Sequence, residues 1–191
     1  MNQKEDQVWL DNIKNGNPAS YTFIVDKYKH MVYTIAMKIL SNPDDAQDAA
    51  QESFIKAYQQ IGSFAGKSKF STWLYTIAYR TSVSKLKESR IVTVELNEEP
   101  DDGYFSDQAA SGLEQLELKQ QKRQVEAAIQ KLPKMEALLI TLYYMNEMPV
   151  KEIEAITGLG ASNIKIQLFR ARKKLERDLR PLLDDELKKI N

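Results

Sequence analysis

Apolar side chains recur every three or four residues along most of this chain, and that spacing limits its fold more than any other feature. Such a period gives a helix one apolar face, whereas a half-buried strand needs a period of two. The clearest helical face consists of Ile24, Tyr28, Met31, Val32, Ile35 and Ile39. Alternation with a period of two occurs only in Ile91–Leu96, which is too short and isolated to make a sheet. We therefore predict an all-α fold.

Start signals divide this pattern into separate helices. Asn17-Pro18 and Asn42-Pro43 each place an N-cap residue before a proline at the first helical position. The helix after Asn42 is expected to run to about Ile61, with Ala49, Phe54 and Tyr58 on one side. A loop from Gly62 to Lys69 follows, and Ser71 or Thr72 is expected to cap a third helix.

The helical pattern lapses between Glu88 and about Gly112, where the charge is strongly uneven. The whole chain holds 27 basic and 27 acidic side chains. Residues 1–90 carry 12 basic and 9 acidic groups, residues 91–118 carry none and 8, and residues 119–191 carry 15 and 10. The middle segment has too few apolar groups to offset the entropy of ordering it. We predict two small helical domains, 1–90 and 119–191, joined by an acidic flexible linker, 91–118.

Composition excludes several classes of protein. No apolar run approaches the roughly 18 residues of a membrane helix, and Met1–Asp6 has no apolar core of the kind a signal peptide needs. Cysteine is absent, which excludes disulfides and thiolate metal sites and fits a reducing cytoplasm. The single histidine, His30, is interpreted as a surface or boundary residue. We expect no catalytic residue, no metal, no cofactor, no membrane insertion and a cytoplasmic location.

The second domain contains the most specific local pattern, in Pro149–Leu175. Before it, a helix with Leu113, Leu116, Val125 and Ile129 is predicted to end at Leu132-Pro133, where the next begins with Leu138, Leu139, Leu142 and Tyr143. Val150, Ile153 and Ile156 then mark a short helix, and Gly158 stands where a tight turn needs positive φ. The following helix is expected to turn Ile164, Leu168 and Leu175 inward.

Two short helices joined by such a turn form a helix-turn-helix, whose second helix enters the major groove of DNA. The outer side of that helix is basic, with seven basic and two acidic residues between positions 165 and 180. Arginine can read purine edges, while lysine mostly binds phosphate. The alternative is a helical hairpin whose basic face is merely solvated. Turn, inward pattern and charge together favour DNA binding.

A second cluster mixes aromatic and basic side chains in the loop and helix start at residues 61–85, together with Lys56 before them. Its rings are Phe64, Phe70, Trp73, Tyr75 and Tyr79, and its cations are Lys56, Lys67, Lys69, Arg80 and Lys85. Rings beside cations suit unpaired bases, because bases stack on rings while lysine and arginine hold the backbone. Trp73 is also spaced from Ile77 as a core residue would be, so a packing role remains equally open for it.

These residues resemble a known family. Asp48–Phe54, Phe64 and Lys69–Leu74 resemble conserved region 2 of bacterial RNA polymerase sigma factors. Leu132-Pro133, Glu152–Gly158 and Arg170–Leu175 resemble their region 4. The motifs match in order and spacing over about residues 17–180, and the two-domain layout resembles the extracytoplasmic-function (ECF) group of the sigma-70 family.

The resemblance implies a non-enzymatic subunit that binds core RNA polymerase and directs it to promoters. It implies contact with the clamp helices of the largest polymerase subunit for Asp48, Gln51, Glu52 and Phe54. It implies binding and melting of the −10 element for Lys56, Ser63, Phe64, Lys67, Lys69, Phe70, Thr72, Trp73, Tyr75, Thr76 and Arg80. It implies recognition of the −35 element for Ser162, Asn163, Lys165, Ile166, Phe169, Arg170 and Lys173.

The family's wider properties imply further partners. The loop that matches residues 63–70 captures a flipped base of the −10 element, and the acidic linker is placed near the template strand and the RNA exit. Region 4 is implied to contact the flap region of the polymerase. An anti-sigma factor commonly masks the free protein, so one is expected here.

Three residues depart from the family pattern at the helix-turn-helix. Glu154 replaces a usual alanine, and we expect its carboxylate to turn to solvent or to pair with Lys151 or Lys165. Gly160 and Asn163 replace a common serine and threonine, so capping is expected from Ser162 or from the bare backbone. Ile166 is apolar where a small polar residue is frequent, which suits a thymine methyl group. These departures bear on the −35 sequence, not on the class of activity.

Two other classes of function compete with this interpretation. Pro149–Leu175 alone would also suit a repressor or activator that binds DNA without polymerase. Such a regulator has no use for Asp48–Leu74, which discriminates between the two hypotheses. A helical scaffold or RNA-binding adaptor is the third class, and it predicts no dependence on polymerase.

Overall fold

The computed structural model describes the backbone of residues 3–93 and 113–190, and the side chains of residues 5–89 and 122–180. Within those ranges the backbone forms eight α-helices and no strand, which confirms the all-α fold. The helices form two compact units, one built on the first four helices and the other built largely on the last four. The central part of the predicted linker, residues 94–112, lies outside the described residues.

The first unit contains α1 (Gln3–Lys14), α2 (Tyr21–Leu40), α3 (Pro43–Gln60) and α4 (Phe70–Thr93). Single turns of 3-10 helix at Pro18–Ser20 and Ile61–Ser63 lead into α2 and out of α3. Helices α2, α3 and α4 pack against one another, and α1 packs on α2. Their core is formed by Ile24, Tyr28, Val32, Ile35, Leu74, Tyr75 and Ala78.

The buried stripe of α3 consists mainly of small side chains: Ala46, Ala49, Ala50, Ser53, Phe54 and Ala57. Small residues let the neighbouring helices approach closely. Tyr58, which we expected on one side of the helix with Ala49 and Phe54, is 42% exposed and packs edge-on against Tyr21. The buried position in the last turn is taken by Ala57.

The two Asn-Pro start signals have different outcomes. Asn42 is confirmed as an N-cap, because its Oδ1 accepts from the backbone N–H groups of Asp44 at 2.9 Å and Asp45 at 3.0 Å. Asn17 makes no such bond, and a 3-10 turn separates it from α2. Ser71 and Thr72 are not caps, since α4 already begins at Phe70 and both are buried in its first turn.

Helix α4 extends into the stretch predicted to lack helical structure, whereas the predicted return of the helical pattern at Leu113 is confirmed. Helix α4 continues past Glu88 to Thr93, and the first helix of the second unit begins at Leu113. Both ends of the predicted linker, residues 91–93 and 113–118, are therefore helical.

The second unit contains α5 (Leu113–Gln130), α6 (Lys134–Ile140), α7 (Val150–Thr157) and α8 (Ala161–Ile190). The predicted break at Leu132-Pro133 is confirmed, with Pro133 at the start of α6. A π-helical turn, Thr141–Met145, follows α6, and the Asn146 N–H donates to the Thr141 carbonyl at 3.2 Å. The turn leaves Tyr143, Tyr144 and Met145 exposed while Leu142 is buried.

Candidate nucleic-acid interface

Helices α7 and α8 form the predicted helix-turn-helix. Gly158 has φ of +73°, which confirms its role in the turn. The Ile164 N–H donates to the Gly160 carbonyl at 3.1 Å, so Gly160 is the N-cap position of α8. Ile164, Leu168 and Ala171 are buried, and Leu175 is half-buried. The inward pattern read from the sequence is therefore confirmed.

The opposite side of α8 is exposed at every position for which −35 contact was predicted: Ser162, Asn163, Lys165, Ile166, Phe169, Arg170 and Lys173. Ile166 is 51% and Phe169 55% exposed, so this side of the helix presents two large apolar side chains to solvent. They stand among cations, so the face combines charge for phosphates with apolar surface for base edges. We name these seven residues the α8 face.

Two members of the α8 face already have partners on the same helix. The Asn163 Oδ1 accepts from the Gln167 side chain at 2.8 Å. The Lys173 ammonium lies 2.9 Å from Glu176 Oε2, and this bond holds the pKa of Glu176 below its usual value. Both pairs are exposed, so each costs little to break.

Glu154 behaves differently from either expectation. Its Oε1 accepts from the backbone N–H of Ala161 at 2.6 Å, so the carboxylate caps the start of α8. It therefore neither turns to solvent nor takes Lys151 or Lys165 as its partner in this bond. The expected cap, Ser162, is exposed. The sequence carried a signal for this contact, namely an acidic residue just before a turn that leads into a helix without a hydroxyl at Gly160.

A second polar contact missed from the sequence holds α8 to α6. The Lys174 ammonium lies 2.9 Å from both carboxylate oxygens of Glu136, whose side chain is nearly buried. Sequence reading assigned Lys174 to the basic outer side of the helix. Its contact with Glu136 makes it an anchor for α8 instead.

In the first unit, the aromatic side chains of residues 64–75 form one cluster. Ring centroids of Phe64, Phe70 and Trp73 lie 5.3–5.5 Å apart, and Tyr28 lies 5.9 Å from both Phe70 and Tyr75. Phe64, Phe70 and Tyr75 are buried, while Trp73 is half-buried. Sequence reasoning expected these rings to contact bases, but three of them are core residues in this structure.

The cations and hydroxyls around this cluster are more accessible. Ser63, Lys67, Lys69 and Arg80 are exposed, whereas Thr72 is buried and Thr76 is half-buried. The loop is held to α1, because the Lys14 ammonium donates to the Phe64 carbonyl at 3.1 Å. Gly66, with φ of +69°, turns the chain between Phe64 and the start of α4 at Phe70. The loop and α4 therefore combine a largely buried aromatic cluster with four exposed polar side chains, Ser63, Lys67, Lys69 and Arg80, which we call its rim.

The described residues also bear on membrane insertion and metal binding. None of the helices in these ranges has the length and apolar character required to cross a membrane. Within the same ranges, no group of three or more His, Asp or Glu residues is arranged to hold a metal ion.

Comparison with known proteins identifies the family. Residues 24–91 match the family model described as Sigma-70 region 2, and residues 122–175 match the model described as Sigma-70, region 4. The chain is 30% identical to the ECF RNA polymerase sigma factor SigW of Bacillus subtilis (strain 168), over 91% of this chain and 96% of SigW. It is also 30% identical to the ECF RNA polymerase sigma-E factor of Escherichia coli (strain K12), over 95% and 97% of the two chains.

This chain is an ECF sigma factor. Its fold also matches the solved structure of the sigma factor RpoE in complex with the anti-sigma factor NepR from Bartonella quintana. That match has a TM-score of 0.68 at 20% identity and covers 84% of this chain and 96% of RpoE. The resemblance stated from the motifs is thereby confirmed, as is the assignment to transcription initiation.

In this sigma factor, the residues predicted to bind core polymerase lie on α3. Asp48, Gln51 and Glu52 are exposed on the side away from the small-residue stripe, while Phe54 is buried and its carbonyl accepts from the Tyr21 hydroxyl at 2.6 Å. Asp48 lies 3.1 Å from the Lys85 ammonium, and Glu52 lies 2.6 Å from that of Lys56. The exposed surface of α3 is therefore polar, and Phe54 lies in the core on the opposite side of the helix.

Proposed function

We propose that this sigma factor binds core RNA polymerase through the exposed surface of α3 and directs it to promoters with separate −10 and −35 elements. One observation carries the proposal: both sigma-70 regions match the same chain, and each contains an exposed polar surface with cations. A repressor needs only the second of these surfaces. The chemistry of RNA synthesis belongs to the polymerase, so the chain acts as a specificity subunit.

The α8 face is proposed to read the −35 element. Arg170 and Lys165 are long exposed cations on a helix whose N-terminal half carries the contacts, as in other helix-turn-helix proteins. Phe169 and Ile166 supply apolar area for thymine methyl groups. Ser162, Asn163 and Lys173 complete the surface at its edges.

The rim of the aromatic cluster is proposed to hold the −10 strand. Ser63, Lys67, Lys69 and Arg80 contact the nucleic-acid backbone, the half-buried Lys56 and Thr76 add to these contacts, and Trp73 is the ring of the cluster most accessible to an unpaired base. Four other residues of the predicted −10 site are buried and pack in the core under this surface: Phe64, Phe70, Thr72 and Tyr75. We propose that this support, rather than direct contact, explains their presence in the motif.

The domain boundaries are proposed from the same reasoning. Region 2 occupies residues 1–90, region 4 occupies residues 119–191, and residues 91–118 connect them, with helical ends at 91–93 and 113–118. Two further proposals concern partners and place. An anti-sigma factor is proposed as a regulator, supported by the complex in which RpoE of Bartonella quintana is found. A cytoplasmic location is proposed as well, because the chain is proposed to act on RNA polymerase in the cytoplasm.

Reconstitution with core RNA polymerase tests the function. The full chain, mixed with core enzyme and a pool of duplexes with randomised promoter elements, should yield transcripts that neither component gives alone. Each duplex carries a distinct barcode downstream of its start site, so sequencing the transcripts identifies the duplexes, and hence the −10 and −35 elements, that were active. If the chain alone selects a duplex tightly and no promoter-specific transcript forms with core enzyme, the chain acts as a separate regulator and the proposal is wrong.

A pair of charge reversals tests the polymerase contact on α3. Glu52→Lys should abolish co-purification with core enzyme, because Glu52 is exposed on the proposed contact surface. Asp26→Lys is the matched control, since Asp26 is also an exposed helix carboxylate with one lysine partner, Lys29 at 2.9 Å. Equal binding by both variants would remove α3 from the polymerase contact.

A further inference from the structure

The recognition helix α8 begins without a side-chain acceptor of its own. The first N–H groups of any helix have no carbonyl partner within the helix and need another acceptor. Gly160, at the N-cap position, has no side chain to provide one. The structure fills this gap from the preceding helix, because Glu154 Oε1 accepts from the Ala161 N–H at 2.6 Å.

Charge strengthens this bond. A carboxylate accepting from a backbone N–H at a helix start makes a charge-assisted hydrogen bond, which is shorter and stronger than a neutral one. Its negative charge also stands at the positive end of the α8 dipole, where it is stabilising. Glu154 is half-buried, so water competes for it less than for an exposed carboxylate.

The bond also connects the two helices of the motif. Glu154 belongs to α7, and Ala161 is the first residue of α8, with Gly158 at positive φ in the turn between them. Ser162, Asn163 and Lys165 lie in the first turn and a half of α8 and belong to the proposed −35 surface. A frayed first turn would displace these three side chains, and recognition tolerates displacements of only about 0.5 Å.

We propose that Glu154 is a positioning residue that caps the recognition helix in place of a side chain at position 160 and thereby sharpens −35 selectivity. This inference rests on the proposed function of the α8 face. Glu154 acts through the backbone of α8 and does not itself contact DNA.

Removal of the side chain is the direct test. In Glu154→Ala, the Ala161 amide should lose about fivefold of its hydrogen-exchange protection, the factor that corresponds to an N-cap of about 1 kcal/mol. The preference of the holoenzyme for its selected −35 duplex over one with a scrambled −35 should fall by a similar factor of about five. Glu126→Ala, an exposed carboxylate on α5, is the matched control and should change neither value.

Glu154→Gln separates the hydrogen bond from the charge. Glutamine keeps a side-chain oxygen at the same reach, so most of the protection and most of the selectivity should remain. Loss of both, as in the alanine variant, would assign the effect to charge alone and overturn capping.

A rescue at Gly160 distinguishes capping from any other role of the carboxylate. A Cβ added at Gly160 meets nothing within 4 Å, and φ there lies outside the left-handed region, so serine fits without strain. Its hydroxyl would accept from the Ser162 or Asn163 N–H, the usual geometry of an N-cap. Gly160→Ser should restore −35 selectivity to Glu154→Ala while leaving the Ala161 amide unprotected.

The outcomes separate this inference from the proposed function. Unchanged Ala161 exchange in Glu154→Ala overturns the cap, and changed exchange with unchanged selectivity overturns the positioning role. Failure of Gly160→Ser to restore selectivity also overturns it. If the unmodified chain directs no promoter-specific transcription at all, the proposed function fails on that result alone, while exchange at Ala161 still reports the cap.

Discussion

Replacing Asp6 should destabilise the first unit more than replacing any exposed carboxylate of α1. Asp6 is 5% exposed, and its two oxygens accept from the Lys27 ammonium at 2.6 Å and from the buried Tyr28 hydroxyl at 2.7 Å. These bonds connect α1 to α2. Burial, together with the bond to Asp6, raises the pKa of Tyr28 well above its usual value, so the hydroxyl stays a donor.

The size of the effect follows from what Asp6→Ala leaves behind. The Tyr28 hydroxyl would remain buried without an acceptor, which costs about 1–3 kcal/mol. Breaking a buried ion pair costs about 3–5 kcal/mol, but the Lys27 side chain is 20% exposed and keeps Glu5 at 3.6 Å and the Trp9 ring at 5.1 Å. We therefore expect a loss at the lower end, about 3 kcal/mol in the free energy of unfolding.

Tryptophan fluorescence during urea unfolding measures this loss in the intact chain. The chain has two tryptophans, Trp9 and Trp73, and both belong to the first unit, so the second unit does not contribute to the signal. Trp9 stacks on Phe23 at 5.6 Å and reports directly on the docking of α1. Asp11→Ala is the control, because Asp11 is exposed on the same helix and its carboxylate accepts from the Gln7 side chain at 2.8 Å.

The control should lose no more than about 0.5 kcal/mol, the value of an exposed pair on one helix turn. The double variant Asp6→Ala/Tyr28→Phe should lose less than the sum of its parts, because the unpaired hydroxyl is gone. If Asp6→Ala lowers the free energy of unfolding as little as Asp11→Ala does, this prediction is wrong. A buried carboxylate that accepts from two donors cannot be removed at so little cost.

Three further predictions concern single groups. Arg170→Ala should reduce −35 discrimination by the holoenzyme by about 1–3 kcal/mol; equal losses on all sequences in a binding titration would make Arg170 a phosphate contact. Tyr75→Phe should leave stability in urea unchanged or higher, because the Tyr75 hydroxyl is buried with no hydrogen-bond partner among the described residues; a loss above about 1 kcal/mol contradicts this. Burial raises the pKa of Tyr21, Tyr28 and Tyr75 above 10.0. Stability present below pH 10 should therefore fall as pH rises further, because the unfolded chain ionises first, and a urea midpoint that stays constant to about pH 11 contradicts this.

Features that depend only on residues adjacent in the sequence, such as helix caps and tight turns, could be predicted from the sequence. Asn42 caps α3 with bonds to residues two and three positions on, so the dipeptide Asn42-Pro43 contains all the information. Gly158 is similar, because its positive φ is a property of one residue. Asn17-Pro18 shows the limit: the same signal leads into a 3-10 turn without a side-chain bond, since packing of α1 against that turn also determines its geometry.

The core residues were harder to predict, because mainly large apolar side chains were sought in the sequence. Tyr58 was grouped with Ala49 and Phe54 but is 42% exposed, whereas Ala46 and Ala57, which the pattern did not single out, are fully buried. Alanine is buried where helices approach closely, and that approach depends on how α2, α3 and α4 pack together. The −10 region shows the reverse case. Tyr75 and Phe70 were predicted to contact DNA, and both are buried in the core.

Glu154 and Gly160 show why two departures from a family pattern cannot be judged one at a time. Taken singly, Glu154 is a charge at a close helix contact, and Gly160 is a lost cap. The structure makes them one arrangement, because the helix start that Gly160 leaves open receives the Glu154 carboxylate. It follows that Ala at 154 with Gly at 160 leaves α8 without a side-chain cap, whereas Glu at 154 with Ser at 160 provides two. A large effect of Gly160→Ser on −35 selectivity in the unmodified background would therefore argue against this pairing, since a helix that is already capped gains little from a second acceptor.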